Sequence, residues 1–83
     1  FRSIKNDIVI CATGCVATTN RDVGVTTTGY TELFDLYADD NRDANLSVNW
    51  KKMGASPDTS VTCLGSGTST DAAWGIVHVW RRL

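Results

Sequence analysis

The chain has little of what usually holds a small domain together or gives it chemistry. Its 83 residues carry three cysteines, one histidine, one methionine and one proline. Three cysteines cannot all pair, so a complete disulfide framework is excluded. Glu32 is the only glutamate, and a paired-carboxylate glycosidase would have to recruit an aspartate. No sign of charge dominates: eight Lys and Arg stand against nine Asp and Glu, for a net charge of −1. That balance excludes the basic patch of a nucleic-acid-binding module and the polybasic attraction of a lipid-surface binder. No apolar run has the length of a membrane span, and no leader is visible. The chain opens on Phe1 rather than Met, which reads as a processed terminus or a piece of something longer.

What is present is alternation. In Asn45-Leu46-Ser47-Val48-Asn49-Trp50-Lys51 apolar and polar residues alternate strictly. A period of two places Leu46, Val48 and Trp50 on one face of a strand and the polar set on the other. Residues 7–12 form an apolar, β-branched run of strand length, as expected for a central or doubly buried strand. Residues 30–37 read as a strand, although Leu33, Leu36 and Tyr37 also fit helical spacing; Tyr, Thr and Phe favour the extended form. Residues 72–81 are a further strand, with Trp74, Ile76, His78 and Trp80 on one side. Residues 59–64 read as a short strand.

Between these lie turn signals. Residues 13–28 are polar and threonine-rich, and suggest a long loop with an extended piece at 23–27. Residues 38–44 are rich in Asp and Asn, which bond their own backbone and favour a hairpin turn. Pro57 marks a turn at 54–58. The stretch 65–70 is a glycine- and serine-rich tip. Turns at intervals of roughly ten residues suggest a sandwich or barrel. The expected architecture is one module, residues 1–83: an all-β, small antiparallel β-sandwich. A core this small supplies only about 3–5 kcal/mol, so association with other chains is expected to complete it.

Candidate chemistry is sparse. Cys11, Cys15, Cys63 and His78 could in principle ligate zinc, but Cys11 lies in an apolar strand and a histidine packed on a sheet is the commoner outcome. The plain reading of the cysteines is three free thiols, with one bridged pair as the alternative. Asp39, Asp40, Asn41 and Asp43 invite calcium, yet they lack the glycine and distal glutamate of a helix-flanked calcium loop. No nucleophile stands in a recognisable motif beside a base. No enzyme, cofactor or metal is therefore expected. Asn45-Leu46-Ser47 matches a glycosylation triplet, a pattern that arises by chance. The aromatics are the main asset. Trp50 and Trp74 are expected inward, with Ile8, Ile10, Phe34, Leu46, Val48 and Ile76 as the rest of the core. Tyr37, Trp80 and Arg81 are the candidates for a subunit or ligand contact, because aromatics and Arg are enriched at interfaces.

Four stretches together resemble a known group. Asn6-Asp7-Ile8-Val9-Ile10, Val25-Thr26-Thr27-Thr28-Gly29-Tyr30-Thr31-Glu32, Asn49-Trp50-Lys51-Lys52-Met53-Gly54 and Val77-His78-Val79-Trp80-Arg81 are similar, in order and spacing, to jelly-roll-like β-sandwich domains of bacteriophage virion and tail-fibre proteins known from environmental sequences. The likeness spans residues 6–81, and its individual motifs are short. It implies a structural, non-enzymatic module of a phage or phage-like particle, located on a virion or extracellular surface. It carries over no catalytic residue. Such domains have a further strand before the opening one and more chain after the closing arginine, so the sandwich is expected to be incomplete, with an unpaired edge that a neighbour can extend. The expected partner is a further copy or a larger particle. The alternative is a carbohydrate-binding module, with exposed aromatics stacking on a host-surface glycan.

Overall fold

The computed structural model of the chain describes residues 1–17, 26–40, 42–64 and 72–82. The residues expected at 18–25, at Asn41 and in the tip at 65–70 lie outside that set, and so do the side chains of Tyr37, Asp39, Asp40 and Asp43. The fold is all-β. Four strands, β1 (Ile8–Ala17), β2 (Thr31–Asp40), β3 (Arg42–Lys52) and β4 (Ala72–Trp80), form one antiparallel sheet in the order β2-β3-β1-β4. Among the described residues no helix is long and apolar enough to cross a membrane. The described residues make this one sheet, with irregular chain laid across one of its faces, and not two packed sheets.

β1 is central, as its continuous apolar run implies. It runs on through Thr13-Gly14-Cys15-Val16-Ala17, which composition alone assigns to a loop. It does so because it is hydrogen-bonded on both flanks, to β3 as far as Ala17↔Asp43 and to β4 as far as Val16↔Ala72. Pairing on both sides outweighs the weak strand preference of Gly14 and Ala17. The β2–β3 hairpin is also longer than expected. Residues 38–40 and 42–44 continue the ladder as far as Asp40↔Arg42, so the turn is confined to the neighbourhood of Asn41. Residues 59–64 form no strand. They cross the sheet as irregular chain.

A β-bulge corrects a clash of parity. In plain alternation Glu32 shares a face with Phe34 and Leu36. The register shifts between Glu32 and Phe34, so Glu32 stands opposite Asn49 while Phe34 stands opposite Val48. The extra residue, Leu33, moves the charge to one face and the apolar pair to the other.

The core lies on the face that residues 1–7, 26–30 and 53–64 cover. Val9, Cys11, Tyr30 and Met53 are its buried centre, with Val61, Cys63, Val77 and Val79 packed around it. Burial of Val9 and Met53, at 0% and 2% exposure, stabilises the fold by about 1.5–3 kcal/mol each. A disulfide joins Cys11 to Cys63, 52 residues apart with Cα atoms at 5.9 Å. This corrects the expectation of three thiols: spacing along the chain does not reveal that the irregular crossing segment delivers Cys63 to β1. Closing a loop of that length contributes roughly 4 kcal/mol by restricting the unfolded chain. Cys15 keeps its thiol, buried, and donates to Asn45 Oδ1 at 3.3 Å.

Polar contacts pin the cover in place. Thr13 Oγ1 donates to the Leu64 carbonyl at 2.9 Å, and Leu64 N–H donates to Thr27 Oγ1 at 3.1 Å. Ser3 Oγ donates to the Asp58 carbonyl at 2.6 Å, and Met53 N–H donates to the Asp7 carbonyl at 2.8 Å.

Candidate functional site

The other face of the sheet is apolar and open. Strand alternation and the observed register place Ile8, Ile10, Ala12 and Gly14 of β1 beside Trp80, His78, Ile76 and Trp74 of β4. On the opposite flank they stand beside Lys52, Trp50, Val48 and Leu46 of β3. Phe34 and Leu36 of β2 extend the row. Trp74, Ile76 and Trp80 are 55%, 57% and 59% exposed, and Leu36 is 58% exposed. Ile8 and Phe34 are also exposed; Ile10, Leu46 and Trp50 are half-buried; Val48 is buried.

The eight residues expected to form the core therefore share one face, as their parity requires, but it is not the covered one. For Ile8, Phe34, Trp74 and Ile76 the inward expectation is corrected outright; Val48 is buried, at 8% exposure, Ile10, Leu46 and Trp50 are half-buried, and none of the eight joins the cluster of Val9, Cys11, Tyr30 and Met53. Periodicity groups side chains by face. It does not say which face the irregular segments cross, and here the Cys11–Cys63 bridge ties them to the opposite one.

Local geometry shapes this surface. The Trp74 indole lies over Gly14: a Cβ built there would stand 2.6 Å from its ring atoms. Glycine at this register position lets the indole lie down on the sheet. His78 and Trp80 follow on the same strand with ring centroids 5.1 Å apart and planes inclined by 34°. At the Trp80 end, Asn6, Ile8, Lys52, Trp80, Arg81 and Arg82 border a cavity of about 540 Å³. The Ile8 end of the face is thus rimmed with positive charge.

Arg81, a contact candidate, serves inside the molecule. Its Nη2 and Nε donate to the two carboxylate oxygens of Asp7 at 2.8 and 3.1 Å, a bidentate pair. Asp7 is buried and also accepts from Ile4 N–H at 2.8 Å. The Arg81 hydrogen bond, aided by the Ile4 N–H, holds the Asp7 carboxyl below its ordinary range, and the carboxylate raises Arg81 in turn. Trp80 beside it is free to meet a partner. Tyr37 pairs with Asn45 in the ladder, and its side chain lies outside the described residues.

A second cleft, of about 370 Å³, opens on the covered face around Tyr30, Lys51 and Asp58. Lys51 Nζ donates to both Asp58 oxygens at 2.9 and 3.1 Å, and Tyr30 Oη donates to Asp58 at 3.2 Å. Lys51 also stands 5.7 Å from the Tyr30 ring centroid. Burial, then the Asp58 charge, push the Tyr30 phenol up to about 12. These groups satisfy one another, and a phenol held neutral is a weak base at physiological pH. The arrangement braces the fold.

The four residues weighed as zinc ligands are not brought together. Cys11 and Cys63 are joined to each other, and His78 stands on the opposite face of the sheet, beside Ile10. Among the described residues no group of three or more His, Cys, Asp or Glu could hold a metal ion. Asn45 of the glycosylation triplet is buried against Cys15. Sequence reasoning missed the bidentate role of Asp7, whose only signal was a lone acid before an apolar run, and the Gly14–Trp74 pair, which depends on register.

No protein-family model, curated protein or solved structure matches this chain.

Proposed function

We propose that this chain is a non-enzymatic structural module whose open sheet face is an assembly surface, and that it works on a virion or comparable extracellular structure. One observation carries the first half: Trp74, Ile76 and Trp80 along one edge strand and Leu36 on the other edge strand are exposed on a single sheet face, with apolar β1 and β3 side chains between them. Contiguous apolar patches of this kind mark interaction sites. The Cys11–Cys63 bridge supports an oxidising location, since disulfides persist outside the reducing cytosol. The phage-like context rests on the resemblance in the order of the strand motifs. Size-exclusion chromatography with light scattering tests the reading. Association that depends on protein concentration is expected, and a monomer at every concentration would count against it.

A second reading has an observation of its own. Trp74 and Trp80 lie on one strand, six residues apart, hence about 20 Å at the usual strand rise. An exposed aromatic row of that length suits stacking on successive sugar rings of a glycan. Tryptophan fluorescence titrated with oligosaccharides separates the two. Saturable quenching by a glycan with no self-association favours sugar binding.

A further inference from the structure

We infer that the occupant of the open face is a second copy of this chain, packed sheet on sheet, so that two copies complete one β-sandwich. This rests on the assembly reading above and names its partner.

Area is the first support. Taking the exposed fractions of Trp74, Trp80, Phe34, Ile76, Leu36 and Ile8 with ordinary side-chain areas, the patch offers roughly 600–700 Å² of apolar surface. The largest patch on a typical monomer is about 300–600 Å², whereas a stable interface takes about 800 Å² from each partner. The half-buried Ile10, Leu46 and Trp50 lie within the same outline and close most of that gap. The surface therefore matches one side of a standard dimer interface.

Charge is the second support. Lys52 and Arg82 stand at the Ile8 end of the sheet, together with the neutralised Arg81–Asp7 pair. The opposite end of the face is the β2–β3 turn. A two-fold axis that lies between the sheets and crosses the strands sets the basic end of each copy at the far end from that of the other, so that like charges do not meet. The interface is then isologous, with the same patch on both copies. Sheets packed in this way keep their strands within about 30° of alignment and lie about 10 Å apart. The residues that alternation marks as core become the core of the pair.

The test is sedimentation equilibrium on the full chain with its disulfide intact, beside Ile76→Lys and Trp74→Ser. Both positions are exposed, so the variants should keep the β-type circular dichroism of the parent, and that spectrum is recorded for each. The parent should be a dimer, and each variant should raise the dissociation constant about thirtyfold or more, the effect of losing an interface hot spot. A folded Ile76→Lys that dimerises like the parent overturns the inference, while the assembly reading survives with the contact moved to the outer edge of β2 or β4. A parent that stays monomeric at every concentration overturns both.

Discussion

β3 shows the difference between the two faces of this sheet within a single strand. Asn45, Ser47 and Asn49 are 7%, 0% and 1% exposed under the irregular segments, while on the reverse Leu46 and Trp50 stay half open and only Val48 between them is buried. The buried side carries polar groups in need of partners: Asn49 Nδ2 donates to Ser47 Oγ at 3.2 Å, but Asn49 Oδ1 meets no hydrogen-bond partner among the described residues. For a domain meant to stand alone this is the wrong way round, since burying polar atoms costs free energy and exposing apolar ones forgoes it. β4 repeats the pattern less sharply: Val77 and Val79 are half-buried on the covered side, and Trp74, Ile76 and Trp80 are exposed on the other. The covered face makes the fold and is held by a cross-link, two ion pairs and a small apolar cluster. The open face holds most of the large apolar side chains, and Trp74, Ile76, Trp80 and Leu36 on it are more than half exposed. Under the proposed assembly the contrast is a division of labour, one face for folding and one for association.

Breaking the covered face should have the largest effect. Reducing the Cys11–Cys63 bridge, or the variant Cys63→Ala, should cost roughly 4 kcal/mol, enough to unfold a marginal domain. Thermal melts with and without reductant measure it, and an unchanged midpoint would mean that the bridge does not anchor the cover. Next come truncations of matched size on the two faces. Val9→Ala and Met53→Ala should lose about 1–4 kcal/mol by denaturant titration of dilute protein. Ile76→Ala in the same dilute solution should lose less than about 0.5 kcal/mol, because its side chain is already in water. Equal losses at Met53 and Ile76 would erase the contrast.

Proton linkage sharpens the comparison at the edges of the cover. Asp7 titrates below its ordinary value in the fold. Its contribution is therefore fully present above the unfolded value near 4 and is lost as pH falls through the lower folded one. Arg81→Gln should remove the lowering and flatten the acid side of the stability profile. Tyr30 is shifted upward, to about 12. Stability should hold below pH of about 10 and fall as pH rises from there toward the folded value, since the unfolded phenol ionises first. Tyr30→Phe should abolish that alkaline step. The smallest effect expected is that of Gly14→Ala. The new methyl would meet the Trp74 indole at 2.6 Å, and an exposed ring can swing aside. Stability should change by less than about 1 kcal/mol, with a measurable shift in tryptophan emission as the indole leaves the sheet.

Much of this fold can be read from residue order, and the reasons differ by element. The faces of β3 and β4 follow from alternation, which needs only the pleat. The central place of β1 follows from its unbroken apolar run. Its extension through Gly14 to Ala17 does not, because two flanking ladders impose it. The length of the β2–β3 hairpin is hidden in the same way: Asp and Asn signal a turn across residues 38–44, yet cross-strand pairing carries the ladder through most of them. The Leu33 bulge can be suspected only from the presence of Glu32 among apolar neighbours. The disulfide and the identity of the covered face depend on where irregular chain crosses the sheet, and no local pattern encodes that. The candidate surface was half legible for this reason. Trp80 could be chosen as a contact, while Trp74 and Ile76 could be grouped with it but not turned outward.

The most direct test is acrylamide quenching of tryptophan fluorescence in the disulfide-intact protein, followed from very dilute to concentrated solution. Trp74 and Trp80 should be strongly quenched when dilute and become protected as concentration rises, with Ile76→Lys remaining open throughout. Quenching that does not change with concentration would contradict the account, leaving the apolar face bare to water as its permanent state.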